Sequence, residues 1–227
     1  MKTLRKNDHR TEQEVAKFLD KYFYPKIFQK FERIFDKKNQ LLGKDIILED
    51  SKLGKIIVDE KAIGHYINKN IPTFAFEISF FRENGELAQG WLFDDNKKTE
   101  FYFLIWIQAK RDENISCDDI INLELILIDR KKIIQFLKNQ GLTKITSDRI
   151  ARRMIRENLE KSHFKGKFLS CYFNRTIHLP EKPVNIIIFK KKLIELSERH
   201  FYVSSKKNSR INLVHQFYFS KIFRFSQ

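Results

Sequence analysis

Asp45, Asp59 and Lys61 are the residues whose types and spacing point to chemistry. Two apolar runs, Ile46-Ile47-Leu48 and Ile56-Ile57-Val58, each carry an acid at a polar end, and the second adds a lysine two residues beyond its acid. Strand side chains alternate faces, so Asp59 and Lys61 point one way and Glu60 the other. The segment between the runs, Glu49 to Gly54, has the composition of a turn. Antiparallel pairing of the two runs therefore brings both carboxylates and the ammonium together. Such a set suits a hard divalent cation, because magnesium takes oxygen ligands, usually one or two carboxylates, and keeps waters or substrate phosphate in its other positions. A metal held this way polarises a phosphoryl oxygen and makes its bound water more acidic. An ammonium beside it orients that water or offsets charge developing on the phosphate.

The elements that must position these residues begin with a helix over residues 11 to 24. Val15, Phe18, Leu19, Tyr22 and Phe23 recur at helical spacing, and Thr11 is placed to cap the N-terminus. Glu12 and Glu14 then sit in the first turn, where the helix dipole favours acids whatever their role. Pro25 breaks or kinks the helix, and Ile27, Phe28, Phe31, Ile34 and Phe35 continue a helical stripe to the polar run at Asp36. Gln40 precedes the Gly43-Lys44-Asp45 strand and is either an ordinary loop residue or a neighbour of the acids.

Taken in order, a helix with Glu, a Gly-x-Asp strand, a hairpin and an Asp-x-Lys strand, the chain resembles the PD-(D/E)XK nuclease superfamily, and its motif order is similar to that of the junction resolvases. Asp45 matches the first acid, Asp59 the second and Lys61 the lysine; Glu12 matches the helix glutamate by position, with Glu14 as the fallback. Lys44 stands where the family commonly has proline. The resemblance covers roughly residues 10 to 110 and implies an α/β, restriction-endonuclease-like core, a mixed central sheet flanked by helices. It implies Mg2+ (Mn2+ as a substitute) bound by Asp45, Asp59 and Glu12, with Lys61 acting on the attacking water. It also implies a DNA endonuclease of restriction or repair type, and a homodimer if both strands are cut together. The alternatives are a nuclease-fold module that binds nucleic acid without cutting it, and a protein whose basic surface meets an acidic protein. In a chain that is 32% charged, acids and lysines at strand ends are also common as solvated groups; the order along the chain argues against that reading.

The rest of the first half reads as sheet. Thr73 to Phe81 alternates Phe74, Phe76, Ile78 and Phe80 against Ala75, Glu77 and Ser79. Glu77 has apolar neighbours, so it is either on an open face or a third acid for the site. Glu83-Asn84-Gly85-Glu86 is a hairpin turn with a return strand from Gly90, and Phe101 to Ile107 is apolar enough for a central strand. Residues 111 to 118 form a surface loop and the expected boundary between a nuclease-like core, 1–113, and a basic, mixed α+β C-terminal region, 114–227, that contacts substrate, forms a dimer or packs with the core. Within that region, Ile120 to Ile128 reads as strand, Asp129 to Asn139 as a helix closed by Gly141, and Ser147 to Lys161 as another helix. Arg149, Arg152, Arg153 and Arg156 crowd this last helix and form either a phosphate-contacting face or a solvated one. The aromatic, basic tail from Ser204 fits neither a helix nor a strand.

The formal charge of +15 on 227 residues favours a polyanionic partner. Nucleic acid, DNA by the resemblance, is preferred over a membrane surface, since no lone amphipathic arm supports the latter. Cys117 and Cys171 are too few for a disulfide framework and have no zinc spacing. No secretory signal and no membrane-spanning run is evident, so the reading is of a cytoplasmic protein. The six histidines are scattered, and no glycine-rich phosphate loop or Gly-x-Ser-x-Gly is present.

Overall fold

The computed structural model describes residues 3–163, 171–205 and 212–216. In chain order the elements are α1 (Thr3–Tyr22), α2 (Tyr24–Ile27), β1 (Lys30–Arg33), α3 (Lys37–Leu41), β2 (Ile46–Asp50), β3 (Gly54–Ala62), β4 (Thr73–Phe81), β5 (Leu87–Gln89), β6 (Phe101–Ala109), β7 (Ile120–Asp129), α4 (Arg130–Asn139), α5 (Lys144–Arg156), β8 (Lys161–Ser162), β9 (Cys171–Arg175), β10 (Val184–Phe189), α6 (Lys190–Leu196), β11 (Arg199–Ser204) and β12 (Asn212–Gln216). The architecture is α/β. A seven-stranded mixed sheet runs β1-β2-β3-β6-β7-β11-β12, and a five-stranded sheet runs β5-β4-β10-β9-β8. In the larger sheet β3 and β6 are parallel and the other pairs antiparallel.

The near-continuous apolar run of β6 is explained by its place: it lies between β3 and β7 and is buried on both faces. Phe103, Ile105 and Ile107 face a core shared with Phe18 of α1, Phe23 at the junction and Tyr24 of α2; Tyr102, Leu104 and Trp106 face a second core shared with Phe74 and Phe76 of β4 and Ile186 of β10. Phe23 meets Phe103 and Phe201 edge to face at 5.7 and 5.0 Å between ring centroids. Full burial of each such ring contributes about 1.5–3 kcal/mol. The large sheet curls around the first core so far that Asp50 of β2 and Arg199 of β11, with three strands between them in the sheet, form a buried ion pair at 2.6 Å.

Several sequence expectations shift. α1 begins at Thr3, eight residues before Thr11, so Thr11 is a buried mid-helix residue and not a cap. The stripe from Ile27 to Phe35 is not helical: after the short α2, Lys30–Arg33 adds an edge strand to β2, because pairing with a neighbour satisfies the backbone where Pro25 has ended the helix. The return strand after the Gly85 turn is Leu87–Gln89, ahead of Gly90. α5 starts at Lys144 because Thr143 and Thr146 close a capping box, three residues before Ser147. α4 has the expected ends, with Asp129 accepting from the Lys131 N–H and Gly141 in the left-handed region. A division at residue 113 would cut both sheets, since β6 pairs with β7 and β4 with β10. The tail from 206 lies outside the described residues except for Asn212–Gln216. Among the described residues no helix is long and apolar enough to cross a membrane.

Candidate active site

The β2–β3 hairpin does what the two apolar runs require. Ile46 is registered with Val58, and the Asp45 N–H donates to the Val58 carbonyl at 3.1 Å, which sets Asp45 beside the next residue of β3, Asp59. The Glu60 N–H donates to Asp45 Oδ2 at 2.9 Å and fixes that carboxylate. Lys61 Nζ pairs with Asp59 Oδ1 at 2.7 Å, with the Asp59 side chain 2% exposed and that of Lys61 26%. Glu60 points to the opposite face, into a separate network: Arg33 grips it at 2.5 Å while forking onto Asp20 at 2.7 and 2.8 Å, and the Tyr24 hydroxyl donates to it. β3 is thus charged on both faces and anchored on each.

Burial, then the adjacent Asp59, pushes the Asp45 carboxyl up to about 8. Burial alone would lower Lys61, but Asp59, Asp45 and Glu12 outweigh it and raise the ammonium well above its usual range. Two carboxylates side by side in a place that disfavours a second negative charge are hard oxygen donors of the kind a divalent cation takes. Among the described residues no three acidic, histidine or cysteine side chains converge to hold a metal. Glu12 contributes to the field at Lys61 but does not stand as a third ligand beside Asp45 and Asp59. Because α1 starts at Thr3, the helix dipole does not account for Glu12. Glu14 bonds Lys17 at 2.6 Å and the Cys117 N–H at 2.8 Å. Glu77 lies on β4, opposite Asn185. Gln40 donates to the Ile34 carbonyl at 2.9 Å. The α5 arginines are exposed, Arg152 paired with Asp148 at 2.8 Å and Arg153 and Arg156 with Glu157 at 3.6 and 3.3 Å.

Three site neighbours, Thr99, Trp91 and Tyr102, escaped the sequence reading, and Gly43 enters it only as part of the Gly-x-Asp strand. Gly43 has φ +73°, and a Cβ there would lie 2.1 Å from Thr99 Oγ1 and 3.2 Å from Asp59 Oδ2. The Thr99 hydroxyl donates to the Gly43 carbonyl at 3.0 Å and lies 3.5 Å from Asp59 Oδ2. Lys61 Nζ sits 5.4 Å from the Trp91 ring, which packs on Tyr102 at 5.0 Å. The Tyr102 hydroxyl is buried without a hydrogen-bond partner among the described residues, and burial, with Asp59 nearby, raises it. The one legible signal among these was the glycine two residues before Asp45.

Gly43→Ala is expected to cost more stability than Gly54→Ala, although both glycines have φ +73°. At Gly54 nothing lies within 4 Å, so only the left-handed backbone is penalised, by roughly 1–2 kcal/mol. At Gly43 the methyl must also displace Thr99 from Asp59. Equal losses in urea melts of the two variants would show that this close approach matters little.

No protein-family model, curated protein or solved structure matches the chain.

Proposed function

We propose that this chain is a metal-dependent phosphodiesterase that hydrolyses nucleic acid, a DNA endonuclease of restriction or repair type. The observation that carries the reading is the meeting of Asp45 and Asp59, two mostly buried carboxylates, with Lys61 ion-paired beside them. Holding two carboxyl groups together in a buried place costs stability and marks the spot as a functional-site candidate. Asp45 and Asp59 would hold magnesium or manganese, whose contribution would be to polarise a phosphoryl oxygen and acidify a water.

The chain's own groups have defined tasks in this scheme. Asp59 holds Lys61, and the Glu60 N–H holds Asp45. Lys61, kept as an ammonium by its neighbours, donates hydrogen bonds; it orients the attacking water or meets charge developing on the phosphate, and does not act as a base. Glu12 strengthens the negative field that keeps Lys61 charged. Trp91 and Tyr102 wall the site on one side. The excess of basic residues, 44 Lys and Arg against 29 Asp and Glu, draws a polyanion toward the surface. The exposed face of α5, with Arg149, Arg152, Arg153 and Arg156, offers forked donors to phosphate.

Supercoiled plasmid and linear duplex incubated with the protein test this. Nicking or cutting in magnesium or manganese, absent in EDTA, is the expected result. Binding that is never followed by cleavage, on plasmid, flap and junction substrates alike, would leave a nucleic-acid-binding module in its place.

A further inference from the structure

A cavity of about 150 Å3 opens on the same face of the large sheet as Asp59, further along β6. Asp59 is registered with Tyr102, and Trp106, four residues on, with Glu124 of β7. The separation along the strand is roughly 13 Å. Trp106 is 5% exposed; its indole N–H donates to the Ile71 carbonyl at 3.0 Å, and the Lys190 ammonium lies over its ring at 4.4 Å. Glu124 accepts from Lys190 at 2.7 Å and pairs with His200 Nε2 at 2.9 Å. Burial would raise the Glu124 carboxyl, but these partners outweigh it and hold it in the charged, accepting form.

The rest of the lining has the chemistry of a planar, polar-edged ligand. Tyr66 and Tyr202 line the cavity and are 49% and 42% exposed, whereas many of the other described aromatic rings are buried in the two cores. Asn70 uses its amide oxygen for Lys190, and Asn122 donates its NH2 to the Gln108 oxygen at 2.8 Å. Neither of these bonds uses the NH2 group of Asn70, the NH2 group of Gln108 or the oxygen of Asn122, so two amide donor groups and one acceptor oxygen face a ligand. The volume is below the roughly 300–1,000 Å3 of ordinary ligand pockets and suits a single ring system. Aromatic planes with donors and acceptors at the edge are how a base taken out of its stack is held. A carboxylate acceptor selects an exocyclic amino group.

We propose that this cavity receives one unpaired, amino-bearing base of the nucleic acid, adjacent to the site that acts on its backbone. The identity of the substrate rests on the phosphodiesterase reading; the test below does not require cleavage. Fluorescence anisotropy in EDTA would compare labelled duplexes that are fully paired, or carry a single unpaired cytosine, an unpaired thymine or an abasic bulge. The cytosine bulge is expected to bind roughly tenfold or more tightly than the paired duplex, the size of one stacked base, with thymine and the abasic bulge weaker. Tyr202→Ala should erase that preference and Tyr202→Phe should keep it, since both act at an exposed position and differ in the stacking plane. Equal binding of paired and bulged duplexes, or a preference that survives Tyr202→Ala, overturns the base pocket. If the protein cuts paired DNA in magnesium while showing no such preference, the pocket fails and the phosphodiesterase stands; if it binds none of the duplexes, both fail.

Discussion

Asp59→Asn and Lys61→Ala are each expected to lower metal-dependent cleavage by on the order of 10²–10³-fold or more, the loss typical of removing one group aimed at developing charge. The two variants should differ in metal binding. Asp59→Asn removes half of the carboxylate pair and should lose magnesium in calorimetric titration. Lys61→Ala removes a competing cation 2.7 Å from Asp59 Oδ1, so it should bind magnesium at least as well as wild type while failing to cleave. Lys61→Ala also leaves Asp59, 2% exposed in its side chain, without its counter-ion. Breaking a buried pair in this way costs about 3–5 kcal/mol, so the assay needs magnesium present and a circular-dichroism check that the fold persists. Wild-type cleavage by both variants would remove the acid-lysine site from the mechanism.

Asp45→Asn is expected to flatten the pH dependence of stability. The folded Asp45 carboxyl is held near 8, against an ordinary value of 3.8, by burial and by Asp59. The native state therefore binds this proton more tightly than the unfolded chain does. Stability falls as pH rises through the window from about 4 to about 8, by at most about 1.4 kcal/mol per pH unit for one proton. Asparagine imitates the protonated acid and has no proton to lose. In EDTA the variant should equal wild type only below about pH 4, and be more stable by a few kcal/mol near pH 8.5, in denaturant titrations at each pH. Magnesium, taking the proton's place, should bind wild type more tightly as pH rises over the same range. Parallel stability profiles for the two proteins would show that Asp45 titrates as an ordinary surface acid.

The hairpin was legible because its signals are local. Two apolar runs, a turn between them and strict alternation along β3 are enough to place Asp45, Asp59 and Lys61 together and Glu60 opposite. β6 and α4 were readable for the same reason: one is an unbroken apolar run, the other has a cap at each end. The start of α1 was not, since the polar residues before Thr11 carry no apolar period to extend the helix. Phe28 and Phe31 lie three apart, a spacing that fits a helix, and only pairing with Leu48 makes a strand of that segment. The second sheet and the cavity depend on partners far apart in the chain. β4 needs β10, more than a hundred residues later, and Glu124 meets His200 across 76 positions. No window of sequence displays such pairings, and for that reason Thr99, Trp91, Tyr102 and Arg33 carried no signal of their own.

The curl of the large sheet, closed by Asp50 and Arg199 across 149 residues, governs the order in which the chain can be assembled. A ribosome delivers the acid-lysine hairpin ahead of these partners: β4 waits for β10, and the curl stays open until β11 arrives. Contacts so distant in sequence impose a large loop-closure entropy before they return any stability, which places folding on the slow side for a chain of this size. Until synthesis reaches β11, Asp50 lacks Arg199 and the first core lacks Phe201 and Val203. The acid-lysine end of the hairpin meets Trp91, Thr99 and Tyr102 well before the Asp50 end meets Arg199, so the two ends of one hairpin are completed at different stages of synthesis.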